Sequence, residues 1–230
     1  MGFLLHGASV IGPGHIASDQ PNQDAILIRH WSDAWLAVVS DGMGSKPHSD
    51  IGSRCACRAV LAAVKSLSFD VSDKDFIHFI YKHWLSLLGN TQADDAVTTC
   101  LIAWGIASGE TRLFQLGDGA VIYDGSDSWV LVSRDTAAFG NETTGLGASR
   151  KYSDWCCRTV LLDAEGHAIA LLTDGISDDV NDSAGFLEYT AMQLRTKGRR
   201  YGKSWIRKQL EEWPTPAHSD DKTMALIQRI

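Results

Sequence analysis

Four aspartates sit where apolar runs meet turns. Trp35-Leu-Ala-Val-Val-Ser40 ends in Asp41-Gly42-Met43-Gly44, and Leu113-Phe-Gln-Leu116 ends in Gly117-Asp118-Gly119. Ala168-Ile-Ala-Leu-Leu-Thr173 ends in Asp174-Gly175, and Asp220-Asp221-Lys222-Thr223 opens the last apolar run. In an antiparallel sheet the end of one strand lies beside the start of its neighbour. Carboxylates after three strands and before a fourth therefore collect at one edge, with Asp41, Asp174 and Asp220 converging and Asp118 near them. Glycine after aspartate lets the backbone turn and bares a carbonyl, here that of Gly42. Bare carboxylates ~5 Å apart at an effective dielectric of about 20 repel by ~3 kcal/mol per pair. Oxygen-only ligands select hard cations, Mg²⁺ or Mn²⁺. One Asp-Gly is ordinary turn chemistry; four carboxylates at strand ends favour a metal centre.

The elements that must position these groups follow from periodicity. Strands are predicted over 7–12, 25–29 and 35–40. Helices follow over 49–67, with Ile51, Cys55, Ala59 and Ala62 at helical spacing, and over 73–88, with Phe76, Phe79, Ile80 and Trp84 on one face. Three hairpins are predicted next: 98–106 with 111–116, 119–123 with 129–132, and 158–162 with 168–173. Helices over 184–195 and 202–213, the second stopped by Pro214 and Pro216, precede a last strand over 223–227. Hairpins imply antiparallel sheets, and segregated helix pairs imply an α+β layering with helices on both outer faces of a sheet-on-sheet core.

Composition narrows the function classes. The chain has 230 residues, 44% of them hydrophobic, enough for one sizeable core and for one domain or at most two. Its net charge of −7 argues against nucleic acid as a partner. The basic run Arg195-Thr-Lys-Gly-Arg-Arg200 reads as a solvated inter-helix loop, with an anionic docking patch as the sharper reading. Five cysteines without a Cys-x-x-Cys pair predict reduced thiols in a cytoplasmic protein. The N-terminal Met1-Gly-Phe-Leu-Leu-His6 lacks a basic flank and is too short for a signal peptide, and no apolar stretch reaches membrane-spanning length. The expectation is a protein that engages no membrane.

The ordered set Asn22-Gln23-Asp24, Asp41-Gly-Met-Gly44, Gly117-Asp118-Gly119, Asp174-Gly-Ile-Ser-Asp178 and Asp220-Asp-Lys-Thr223 resembles the metal-dependent Ser/Thr protein phosphatases of type 2C, in bacterial form. The resemblance runs from about Gly7 to the C-terminus, so residues 1–230 are expected to form a single phosphatase domain. It implies a four-layer α-β-β-α sandwich of two antiparallel sheets flanked by helix pairs, with two Mn²⁺ or Mg²⁺ ions between the sheets. Asp41 resembles the carboxylate that bridges both ions, and the Gly42 carbonyl the backbone ligand. Asp174 and Asp220 resemble ligands of the second ion, Asp24 and Asp178 the outer residues that hold metal-bound water, and Asp118 the ligand of a third, weaker ion. The implied reaction is hydrolysis of phosphoserine and phosphothreonine by a metal-bridging water. Phosphorylated proteins are the implied substrates, and a cognate Ser/Thr kinase the implied opposing partner.

The chain departs from that pattern in places. Asp19 stands where relatives often carry a phosphate-gripping Arg, and Gln23 where they commonly carry Glu. His15, Lys46 and His48 are the candidates to hold phosphate instead. Met43 stands where many eukaryotic relatives have His, Asp221 replaces a common Asn, and the stretch between Asp118 and Thr173 leaves only a short flap. These departures motivate an alternative: a phosphoprotein-binding module, a pseudophosphatase with weak or no turnover. Other metal motifs fit poorly. Asp124-Gly-Ser-Asp-Ser128 is followed by a strand-like run where its motif needs a helix, and the calcium-loop pattern at Asp179 lacks its Gly and its Glu.

Overall fold

The computed structural model describes residues 2–125, 128–132, 144–213 and 219–230, with no side chains for 128–132. Strands β1 (Phe3–Val10), β2 (Ala25–His30), β3 (Ala34–Ser40), β4 (Cys100–Ile106), β5 (Glu110–Leu116), β6 (Ala120–Asp124), β7 (Ser128–Val132), β8 (Cys156–Leu161), β9 (Ala168–Leu172) and β10 (Lys222–Arg229) form two sheets. One has the order β1-β10-β9-β6-β7 and the other β2-β3-β4-β5-β8. Every pairing of strands within them is antiparallel.

The central strands show why their sequences read as unbroken apolar runs. On β3, Trp35, Ala37 and Val39 point into the core between the sheets, while Leu36 and Val38 point to the opposite face. On β9, Ile169 and Leu171 face the inter-sheet core, and Ala168, Ala170 and Leu172 face outward. Strands covered on both faces need apolar residues at every position. Helices supply the outer cover. Helices α2 (Ser49–Ser66) and α3 (Asp73–Leu88) cover the β3 sheet, burying Ala56, Val60, Phe76, Ile80 and Trp84. Ser72 caps α3 by accepting from the Asp75 N–H at 3.1 Å, and Trp84 Nε1 donates to the Gly52 carbonyl at 3.0 Å. On the other side α5 (Ser183–Glu211) buries Leu187, Ala191, Leu194, Ile206 and Leu210. It breaks at Gly198, whose φ of 62° and ψ of −172° leave the helical region, so the two helices predicted there are the two arms of α5. The result is the α+β, four-layer α-β-β-α sandwich expected.

Two expectations need correction. Residues 158–162 and 168–173 do not form a hairpin: β8 pairs with β5 in one sheet, and β9 pairs with β6 and β10 in the other. The reason is burial. β9 is covered throughout and needs neighbours on both sides, whereas β8 is a half-exposed edge, and Leu162 dives between the sheets as the chain crosses. β1 starts at Phe3 rather than residue 7, and a short helix, α1 (Pro13–Ala17), follows it. Pro214 and Pro216 lie outside the described residues. The short helix α4 (Asp174–Ser177) directly continues β9.

Candidate active site

Asp41 leaves β3 in a tight backbone clasp. Its N–H donates to Thr99 Oγ1 at 2.8 Å, and its carbonyl accepts from the Thr99 N–H at 2.8 Å and from Thr98 Oγ1 at 2.7 Å. Gly42 then donates to the Gln23 carbonyl, and Met43 to the Val97 carbonyl. A Cβ at Gly42 would sit 2.6 Å from the Ser49 carbonyl oxygen and 2.8 Å from that of Gln23, so only glycine fits between them. Asp118 is placed by a different device: Gly117 and Gly119 both have φ of 90°, turning the chain twice between β5 and β6. Asp174 opens α4, where its Oδ1 accepts from the Gly175 N–H at 2.7 Å.

These devices bring one carboxylate oxygen each of Asp41, Asp118 and Asp174 within 4.8 Å of one another. They line a cleft of about 190 Å³ together with Gly42, Asp220 and His15. No Lys or Arg lines it among the described residues. The electrostatics follow. Burial, then the charges of Asp24 and Asp174, push the Asp41 carboxyl well above the usual carboxylate range. Asp174 is also raised, chiefly by burial, and further by Asp118 and Asp220. Asp24, behind them, is pushed up to about 7 by burial and by the charge of Asp221, against the pull of hydrogen bonds from Thr223, Asp41 and Thr173. The Thr173 hydroxyl donates to Asp24 Oδ2 at 3.0 Å. Protein cations do not relieve this repulsion, so the donor set fits hard divalent cations.

The sequence candidates thus separate. Asp41, Gly42, Asp118, Asp174 and Asp220 share the cleft, and Asp24 abuts it through Asp41. Asp178 is exposed at the end of α4 and does not line the cleft. Lys46 and His48 also lie off it: the Lys46 N–H turns back to the Met43 carbonyl, and His48 is exposed at the start of α2. His15, on α1, is the phosphate candidate that reaches the cleft. Asp19 is exposed, with φ of 55°. Sequence reasoning missed two supports. Thr98 and Thr99 clasp Asp41 from β4's approach, and Asp221, read only as the replacement of a common Asn, anchors backbone from the other end of the chain. Its Oδ1 accepts from the Gly12 N–H at 2.7 Å and its Oδ2 from the Gln23 N–H at 2.6 Å. No local pattern announces such long-range contacts.

Comparisons with known proteins bear on the family and the fold. The family described as protein phosphatase 2C matches residues 11–213. The fold is similar to that of Stp1, a serine/threonine phosphatase from Staphylococcus aureus, with 14% identity, a TM-score of 0.71 and coverage of 100% of this chain and 96% of that one. It is also similar to RsbX in complex with magnesium, with 13% identity, a TM-score of 0.64 and coverage of 98% and 94%. A Bacillus subtilis SpoIIE chain, comprising its phosphatase domain and a fragment of its regulatory domain, aligns at 14% identity and a TM-score of 0.65; the match covers 99% of this chain but 63% of that longer one. A search of curated protein sequences returned no significant match. With the family matched across most of its length, the chain belongs to the protein phosphatase 2C family.

Proposed function

We propose that the chain is a metal-dependent protein phosphatase that hydrolyses phosphoserine and phosphothreonine, with residues 1–230 working as one catalytic domain. The observation that carries this reading is the cleft where Asp41, Asp118, Asp174 and Asp220 meet without a Lys or Arg among the described lining residues. Asp41, the Gly42 carbonyl, Asp174 and Asp220 would hold two Mn²⁺ or Mg²⁺ ions, and Asp118 a third, weaker one. Bound there, such ions would supply positive charge for a phosphate dianion and would acidify a water to serve as nucleophile.

The chain's own part is positioning. Thr98 and Thr99 fix the Asp41 backbone where β3 ends, which sets the point from which its carboxylate reaches the cleft. Asp24, buried against Asp41 and held by Thr173, is placed to keep a proton or an ordered water beside the centre. Asp178, being exposed, would reach it only through water. The substrates would be cytoplasmic phosphoproteins opposed by a Ser/Thr kinase. All five cysteines are unpaired, and no helix among the described residues is long and apolar enough to cross a membrane.

The test is phosphate release from phosphoserine and phosphothreonine proteins with Mn²⁺. Metals at such centres contribute several kcal/mol, so Asp41→Asn should lower the rate by about 10³-fold or more. Activity that survives both EDTA and this substitution rejects the mechanism. One observation favours a second reading: the cleft offers phosphate no Lys or Arg among the described residues, and the place of the family's common Arg holds the exposed Asp19. On that reading the chain binds metal and phosphopeptide without turnover. A Mn²⁺-stimulated rate on a small aryl phosphate excludes it.

A further inference from the structure

The far rim of the cleft is built by α1 and the turn before β10. His15 and Asp220 both line the cleft there, and one ligand atom each of His15, Asp220 and Asp221 lies within 4.8 Å of the others. Asp221 is 2% exposed, and both of its oxygens are already occupied by the Gly12 and Gln23 N–H groups. His15 Nδ1 is buried 2.9 Å from Asp221 Oδ2. The ring nitrogen is not in hydrogen-bond geometry with that oxygen or with any other atom, so the contact is electrostatic only. Buried polar nitrogens are rarely left this way, and each carries a desolvation cost until a partner arrives.

The neighbours decide what that partner can be. A phosphate placed against His15 would face Asp220 and Asp221, and at ~5 Å each carboxylate would repel it by ~3 kcal/mol per unit charge. A cation is attracted by both and satisfies the imidazole as well. We propose that His15, through the unpartnered Nδ1, is a nitrogen ligand of the cation that Asp220 holds. His15 then belongs to the metal centre rather than to the phosphate. Imidazole also changes metal choice: an all-oxygen site suits Mg²⁺, whereas a nitrogen ligand favours Mn²⁺ and later transition metals. The proposal rests on the two-cation reading of the cleft but not on turnover.

Pulsed electron paramagnetic resonance of the full chain loaded with Mn²⁺ is the direct test. The wild type should show ¹⁴N modulation from a coordinated imidazole. His15→Gln should remove that signal and weaken Mn²⁺ binding, measured calorimetrically, by about tenfold or more, as losses around metal sites typically do. His15→Asp restores a ligand without nitrogen; it should bind Mn²⁺ but show no ¹⁴N modulation, and should lose the preference for Mn²⁺ over Mg²⁺. His48→Gln should leave the signal intact. A wild type without ¹⁴N modulation, a signal that persists in His15→Gln, or one abolished by His48→Gln overturns the assignment. A chain that shows the nitrogen signal yet releases no phosphate would reject the phosphatase reading and leave this one standing.

Discussion

Asp24 and Asp221 are both buried aspartates beside the same cleft, and the fold treats them in opposite ways. Asp221 accepts two backbone N–H bonds, from Gly12 and Gln23, and so ties the β1–α1 turn and the entry to β2 to the start of β10. Asp24 receives a hydroxyl from Thr173 but faces Asp41, and its carboxyl is pushed up to about 7 by burial first and by Asp221's charge as well. Burial alone therefore does not mark a functional carboxylate. What marks it is a burial cost that exceeds what its donors return, as at Asp24 despite Thr223, Asp41 and Thr173, because that cost persists only where something outside the chain removes it.

Substitutions should separate the two groups. Asp221→Ala is expected to have the largest effect on stability. It strands two buried N–H donors at roughly 1–3 kcal/mol each, so unfolding by urea should show a loss of about 3 kcal/mol, equal with and without Mn²⁺. A loss confined to the metal-loaded protein would make Asp221 a ligand rather than an anchor. Mn²⁺ itself should act on the other group. At a hundredfold excess over its dissociation constant it stabilises by about 2.7 kcal/mol, which for a chain of this size raises the melting temperature by roughly 5–10 °C. Asp41→Asn should abolish that rise, and an unchanged melting temperature in the wild type would argue that no metal site is preformed. In metal-free buffer the same Asp41→Asn should raise the melting temperature by a few degrees. The gain is bounded by the ~3 kcal/mol repulsion of one carboxylate pair.

The same contrast explains what could be read from the sequence. Asp41, Asp118 and Asp174 were legible because each is announced locally, by an apolar run, an aspartate and a glycine. The layers were legible because β3 and β9 carry apolar residues on both faces. The role of Asp221 was not, because its partners Gly12 and Gln23 lie at the opposite end of the chain and offer only backbone. The false hairpin at 158–173 has the same origin. Ala164-Glu-Gly166 has turn chemistry, but turn chemistry does not say which sheet a strand joins. That depends on β9 needing β6 and β10 on either side.

The smallest expected effect is a pH slope, and its sign follows from Asp24. Its folded pKa of about 7 lies above the unfolded value near 3.8. Below the unfolded value the acid is protonated in both states and the stabilisation of its neutral form is fully present. As pH rises toward 7, the unfolded chain releases the proton while the folded chain still holds it. The metal-free protein should therefore be more stable at pH 5 than at pH 7.5. Asp24→Asn should flatten that part of the slope, and Asp221→Asn should make it shallower, because the Asp221 charge is one of the causes that raise Asp24. Saturating Mn²⁺ should flatten it too, because a cation at Asp41 replaces the proton as the group that relieves the cluster. If stability rises between pH 5 and 7.5 in the metal-free protein, the uncompensated cost at Asp24 is not there, and the distinction between the two aspartates collapses.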